Sequence, residues 1–441
     1  MKELPPGWVW TTLGEACQIV QGQSPPGSTY NSAGQGLPFF QGKADFGELH
    51  PTPRAWCTAP SKLAEPDDVL ISIRAPVGPT NVAVQRCCIG RGLAALRMPG
   101  GTAQRYILHY IRYSQQELAG KASGSTFGSI TGAQLASHRL PVAPLAEQRR
   151  IVAEIEKHFT NIDPSCVALE ASTKKLDKLI SASIIRACLL SNPDEIRLRP
   201  VGSVGDVSLG RQRAPKHHYG PDMRPYLRVA NVHEDRIETH DIKSMNFTDV
   251  EFERYRLEDG DVLLNEGQSL ELVGRPAIYR GEIPECCFQN TLVRFKASED
   301  VIPKYALYVF RAWLRGGEFR QIARWTTTMA HLGAERFAAM PFPVRPKTSQ
   351  QRIVEHLDAS LSSIAHLSGE ISKAAACATR LRQAILKKAF EGKLVPQDPN
   401  EEPASVLLER IRAARTKAPA RHAPRKPEVR ACEPARCPDL S

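Results

Sequence analysis

The chain has no apolar run long enough to cross a bilayer, no pair of C-x-x-C elements at zinc-ligand spacing, and no glycine loop followed by a Walker lysine. A membrane-spanning helix, a zinc ribbon and an ATP-hydrolysing site are therefore not expected in these residues. A Gly-rich cofactor loop is missing too, as is the Asp/Asn-Pro-Pro-aromatic element with which a base-modifying enzyme holds a flipped base. The nearest match, Ser24-Pro25-Pro26-Gly27, has no aromatic platform and reads as a turn. No catalytic residue, metal ligand or cofactor site is expected in this chain. With no signal peptide, the 11 cysteines read as reduced thiols in a cytoplasm rather than a disulfide framework. The vicinal pairs Cys87-Cys88 and Cys286-Cys287 read as buried strand residues, and Cys432 and Cys437 lack matching partners.

What is present is length, basic charge and repetition. A chain of 441 residues with a hydrophobic fraction of 42% is too long for one core and predicts two globular domains. Lys and Arg number 58 against 47 Asp and Glu, and the net charge of +11 favours a polyanionic partner. Gln148-Arg149-Arg150-Ile151-Val152 returns as Gln350-Gln351-Arg352-Ile353-Val354. The same shift of 202 positions that carries Pro144 to Pro346 also carries Leu140-Pro141-Val142 to Phe342-Pro343-Val344 and Ile155 to Leu357. Upstream, with small insertions, Asp68-Val69-Leu70-Ile71 is echoed by Asp261-Val262-Leu263-Leu264, and Pro38-Phe39-Phe40 by Pro225-Tyr226-Leu227. The unit is half the protein long and reads as a duplicated domain plus connector.

The first copy, 1–143, is rich in Gly and Pro with short β-type runs and an amphipathic helix around Tyr106–Ile111; the second copy, 193–345, repeats this with Ala306–Phe310 at the equivalent helix. Between and after them lie two connectors, 144–192 and 346–395, followed by a tail, 396–441, that holds a short helix and then a Pro-, Ala- and Arg-rich end expected to be disordered. In the first connector Val152, Ile155, Phe159, Ile162, Cys166, Leu169, Leu176 and Ile180 follow three- and four-residue steps, interrupted by Thr173. That is a heptad seam, legible as far as Ile180. A continuous helix over these residues would be about 67 Å long, roughly two turns of DNA. Pro164 removes one helical hydrogen bond at a cost near ~3 kcal/mol, which predicts a kink or a restart with Asp163 as cap. In the second connector Val354, Leu357, Leu361, Ile364, Ile371, Ala375, Ala378 and Ile385 hold equivalent positions.

Two such helices pack best antiparallel, and a protein with a pseudo-twofold internal repeat suits a twofold duplex. The fold class is α+β, with two mixed α/β domains joined by two long antiparallel coiled-coil helices. Candidate base readers are polar residues in loops: Gln41, Lys43, Arg54, Arg74 and Arg91 in the first copy, and Arg228, Asn231, Arg275 and Arg324 in the second. The Gly124-Ser125-Thr126 and Thr326-Thr327-Thr328 loops offer hydroxyls and amides for phosphate. By heptads alone, a scaffold or a solitary DNA-binding protein without enzyme partners is an open alternative.

Several segments together resemble a known family. They are Leu4-Pro5-Pro6-Gly7-Trp8-Val9-Trp10, the paired Pro-x-x-x-Gln-x-Arg-Ile-Val helix starts, Pro225 to Val232, and Leu386 to Leu394. In type, order and spacing the chain, over about residues 4 to 412, is similar to the specificity subunit of type I restriction-modification systems. The resemblance implies a non-catalytic subunit with two target-recognition domains, each reading one part of a bipartite double-stranded DNA site, spaced by two helices that act as a ruler. It implies two methyltransferase (M) subunits docked on those helices, and restriction (R) subunits in the full complex. S-adenosylmethionine, ATP and Mg belong to those partners, not to this chain. On this chain the helix starts carried over from the family are Gln148, Arg150, Ile151 and Val152 with Gln350, Arg352, Ile353 and Val354.

Overall fold

The structure is a computed structural model and describes residues 3–98, 103–122, 128–326 and 328–417. Gly124-Ser125-Thr126, Thr327, and the tail with Cys432 and Cys437 lie outside the described residues. The chain divides into two compact units: unit 1 comprises 1–165 with 376–441, and unit 2 comprises 166–375.

Each unit is built on a four-stranded antiparallel sheet. In unit 1 the strand order is Gln18–Gln21, Leu93–Arg97, Val69–Ser72, Thr80–Val82; in unit 2 it is Gly205–Leu209, Leu292–Ala297, Val262–Asn265, Pro276–Ile278. The central strands look uniformly hydrophobic because both faces are covered. Side chains alternate across a strand, so Val69, Ile71, Ala94 and Leu96 point into a helix-covered core while Leu70, Leu93 and Ala95 point into a second cluster with Phe40 and Ile89. Unit 2 splits the same way, with Val262, Leu264, Val293 and Phe295 on one side and Leu263 and Leu292 with Leu227 and Phe288 on the other.

The smaller pairings repeat as well. Val9–Thr12 lies antiparallel to Arg139–Val142, and Arg197–Pro200 to Pro341–Val344. Leu37–Phe40 runs parallel to Cys87–Ile89, and Met223–Leu227 parallel to Cys287–Phe288. The vicinal cysteines sit here, all four buried; burial pushes the Cys87 and Cys286 thiols up to about 12, far from nucleophilic reactivity. The helices Gln104–Tyr113 and Pro303–Gly316 cover the sheets, and each carries a buried tyrosine whose hydroxyl donates to the edge strand, Tyr106 to Pro141 O at 2.9 Å and Tyr305 to Pro343 O at 2.8 Å.

The two long helices are Leu145–Ile185 and Lys347–Phe390. Within unit 1, Ile151 and Ile155 share a core with Ile385, Leu386, Ala389 and Phe390, while Asp163, further along the first helix, pairs with Arg382. Sequence positions rise on one helix as they fall on the other, so these segments run antiparallel. In unit 2 the end of the first helix and the start of the second meet the same way: Arg345 reaches the carbonyls of Cys188, Ser191 and Asn192. Phe390 closes the unit 1 core, its ring 5.2 Å from Tyr106, 5.1 Å from Tyr110 and 5.6 Å from Tyr113.

Two expectations for the first helix need correction. Pro164 does not restart it: the helix passes through Pro164 unbroken, and Asp163, rather than capping a new helix, forms the ion pair with Arg382. Just before the proline the helix is braced by Arg382, which also lies over the Phe159 ring at 5.5 Å. The seam does not end at Ile180 either. It continues in four-residue steps through Ile184 and Cys188, both fully buried, and turns into the unit 2 core through the π-helical turn Arg186–Leu190. At the polar interruption it is Ser172 that is partly covered while Thr173 faces solvent, its hydroxyl donating back to Leu169 O at 3.0 Å.

Candidate nucleic-acid interface

The loops at one end of each four-stranded sheet are held by a frame of backbone hydrogen bonds that recurs in both units. In unit 1, Gln23 N donates to Ile89 O, Gly90 N to Phe40 O, Ile73 N to Gly92 O, and Gly22 N to Leu93 O. In unit 2, Arg211 N donates to Phe288 O, Gln289 N to Leu227 O, Glu266 N to Thr291 O, and Gly210 N to Leu292 O. These are the same bonds at equivalent positions. A further bridge pairs Arg74 with Ser129 in unit 1, and its counterpart pairs Gly267 with His331 in unit 2. The glycines are there because the backbones nearly touch: a Cβ on Gly22 would lie 2.1 Å from Gly90 O, and one on Gly210 would lie 2.4 Å from the Gln289 carbonyl carbon.

This frame gathers side chains that are far apart in the sequence. In unit 1 it brings together the Gln41–Lys43, Arg74 and Arg91 segments; Arg54 stands near by, next to Ala55, whose carbonyl accepts from Phe39 N at 2.8 Å. Gln41, Lys43, Arg54, Arg74 and Arg91 are all exposed, and among the described residues no carboxylate pairs with the four cations. Gln41 has its backbone anchored instead, its N–H donating to Asp45 Oδ2 at 2.7 Å.

Unit 2 treats its candidates differently. Arg228, at the position of Gln41, is half-buried and ion-paired with Asp241. Asn231 does not present its amide to a ligand: it is 2% exposed, its Oδ1 accepts from Arg228 N at 3.1 Å, and its Nδ2 donates to Glu238 O and Asp241 O, both at 3.1 Å. That side chain builds the turn, as short amides do, and is withdrawn from base reading. Arg275 is partly buried, and burial lowers its pKa. Arg324 is exposed on the short strand Arg324–Trp325, which pairs with Ala330–His331 and through it with Gly267–Gln268, and beside it Trp325 is 61% exposed. A guanidinium and an indole offered together suit a phosphate backbone and a base face.

Sequence reasoning missed Gln23 and Arg211, the residues that follow the touching glycines. Gln23 is exposed, whereas Arg211 is buried, paired to Glu251 at 2.7 Å and lying over the Phe247 ring at 5.0 Å. The matched Gly22 and Gly210 were the available signal.

The helix-start residues divide into two kinds. Gln148 and Gln350 are buried and turned back on their own units: Gln148 donates to Ala143 O at 2.8 Å, and Gln350 donates to Asp300 O and Arg345 O and accepts from Ile302 N, each at 2.8 Å. Ile151 and Val354 are core, and Val152 and Ile353 are half-buried beside it. Arg150 and Arg352 are the ones that reach outward. Among the described residues no helix is long and apolar enough to cross a membrane.

The fold thus defines a duplicated pair of α/β domains, each with a basic or aromatic loop end, joined by two long helices. The family model for the type I restriction modification DNA specificity domain matches residues 5–168. A Methanocaldococcus jannaschii chain named for the type I restriction enzyme MjaX is 38% identical over 157 residues, a match that spans 35% of this chain and 37% of that one. The specificity subunit of the Escherichia coli type I restriction enzyme EcoKI is 22% identical over 96% of this chain and 99% of its own length. A solved structure described as showing assembly and conformational transition of the type I R-M system shares the fold, with a TM-score of 0.64 at 21% identity, covering 89% of this chain and 100% of that one. Residues 5–168 thus match a type I restriction modification DNA specificity domain, and over most of its length the chain is similar to type I restriction enzyme specificity subunits.

Proposed function

We propose that this chain reads a bipartite double-stranded DNA site, each unit applying its loop end to one half-site, with the long helices setting the spacer between them. The observation that carries this is the repeated backbone frame: the same hydrogen bonds present different side chains in the two units, which is what two unlike half-sites require. In unit 1 the readers are Gln23, Gln41, Lys43, Arg54, Arg74 and Arg91. In unit 2 they are Arg324 with Trp325, helped by Arg228 and Arg275. The exposed cations engage phosphate first and fix register, and the amides and guanidiniums specify bases.

The chain is a recognition subunit rather than an enzyme. Two methyltransferase subunits dock on the long helices and supply S-adenosylmethionine chemistry, and restriction subunits bring ATP and Mg in the full complex, within a bacterial or archaeal cytoplasm. Deleting or inserting four helical residues in a connector moves its end by about 6 Å, near two base steps. Methylation-sensitive sequencing of a host carrying such a variant should show a changed spacer with unchanged half-site bases; changed bases with an unchanged spacer would refute the ruler. Affinity purification from the host should recover two methyltransferase copies per chain, and recovery of none would favour a solitary DNA-binding protein.

A further inference from the structure

In unit 2, where strand Pro341–Val344 passes into the long helix Lys347–Phe390, a cavity of about 550 Å³ opens between the two helix ends. Arg186, Glu195, Arg345, Ser349, Arg352 and His356 help to line it, so three guanidiniums face one carboxylate. Arg345 is 3% exposed and donates to three backbone carbonyls, and among the described residues no carboxylate pairs with it, so its charge is solvated but not neutralised. Arg352 is exposed and donates to Ser349 Oγ at 3.0 Å. Among the described residues no carboxylate pairs with Arg352 or Arg186.

The internal repeat provides the comparison. Arg150 is the counterpart of Arg352, and in unit 1 its place is filled. Its guanidinium forms a two-pronged ion pair with Glu401, the second contact at 3.2 Å, and also donates to Pro396 O at 3.3 Å. Glu401 arrives on the segment that follows the second long helix. That segment is anchored by Ala404 N donating to Gly7 O at 2.9 Å and by Leu407, Leu408 and Ile411 in the unit 1 core. In unit 2 the chain leaving the first helix reaches strand Arg197–Pro200 through the turns Arg186–Leu190 and Pro193–Glu195; the second turn brings Glu195 to the cavity lining but, among the described residues, makes no ion pair with Arg352.

We propose that this cavity is a receptor for an acidic chain segment of a partner protein, whose carboxylate takes on Arg352 the position that Glu401 takes on Arg150. The forked guanidinium favours a two-oxygen acceptor, and the surplus of cations selects for an acidic one. The inference rests on the repeat and the cavity and does not depend on how the loops read DNA.

The test uses the full-length chain and a synthetic peptide of residues 396–412, which carries the carboxylate that fills the equivalent place in unit 1. Calorimetric titration should show saturable binding, weakened about tenfold or more by Arg352→Glu in the protein and by Glu401→Gln in the peptide. Arg352→Gln, which keeps size and polarity, serves as a second variant should the charge reversal lower the unfolding midpoint. Absence of saturable binding to the unaltered chain overturns the proposal. So does binding that survives both Arg352 variants, or binding indifferent to Glu401→Gln.

Discussion

Unit 1 and unit 2 share a backbone and differ in what they do with charge. At the loop end of unit 1, Lys43, Arg74 and Arg91 stand in solvent without carboxylate partners among the described residues; at the loop end of unit 2, Arg211 is buried against Glu251 and Arg228 is tied to Asp241. Around the helix junctions the pattern reverses. Arg150 in unit 1 is neutralised by Glu401, while Arg352 in unit 2 donates to a serine and, among the described residues, meets no carboxylate. The frame and the side chains it displays therefore vary independently. A duplicated fold can keep its stability in backbone bonds and close glycine contacts and change its ligands by substitution alone.

The largest expected effect concerns the two junction glutamines. Gln350→Ala leaves two carbonyls and one N–H without their partner and should cost about 3 kcal/mol, whereas Gln148→Ala removes one bond and should cost about 1 kcal/mol. Urea unfolding midpoints measure both, and equal losses would break the comparison. Next comes His138, which is fully buried, its Nε2 3.0 Å from Ser114 Oγ and its Nδ1 3.2 Å from Lys121 Nζ. The ammonium can only donate, so Nδ1 accepts and Nε2–H donates to the serine.

Burial lowers the His138 pKa from 6.5 to about 4, opposed by Glu117 and aided by Lys121. As pH falls through this window the unfolded chain takes up a proton that the folded chain refuses, so stability is lost from about 6.5 down to about 4 and levels off below. Unit 2 carries Met340 at this position, with the same backbone bond from its carbonyl to Val201 N that His138 makes to Leu13 N. His138→Met should flatten the unfolding midpoint across that window, and an unchanged slope would assign the loss to other groups. The smallest effect is at the loops and rests on the proposed DNA reading. In the complex with the proposed methyltransferase subunits, Arg91→Ala should lower the slope of log affinity against log salt by about 1, and Arg228→Ala by less, because Asp241 already offsets that charge. Fluorescence anisotropy on a duplex carrying the target site measures both slopes.

Much of this was legible before any coordinates. The shift of 202 positions that aligned Ile155 with Leu357 also carries Pro141, whose carbonyl accepts from Tyr106, to Pro343, whose carbonyl accepts from Tyr305, and the hydrophobic steps in both connectors follow the covered faces of the long helices. Periodicity reports such features because burial along a helix is local and repetitive. It does not report where a polar side chain turns. Asn231 and Gln350 look like exposed amides in the sequence, and both are consumed by backbone groups that only the tertiary fold brings within reach. Pro164 misled for a related reason: its local cost is real, but packing by Phe159, Asp163 and Arg382 decides the outcome. The charge contrast between the loop ends was not legible at all, since Asp241 and Glu251 reach their arginines through turns of variable length.

The chain order of the two units has a consequence for synthesis. Unit 2 is a single stretch, 166–375, and can close as soon as its last residues leave the ribosome, whereas the unit 1 core waits for Phe390 and Ile411. A ribosome stalled where residue 375 has just cleared the exit tunnel should therefore expose a protease-resistant second unit preceded by a first unit that is still open, the reverse of the order in which the two begin to emerge.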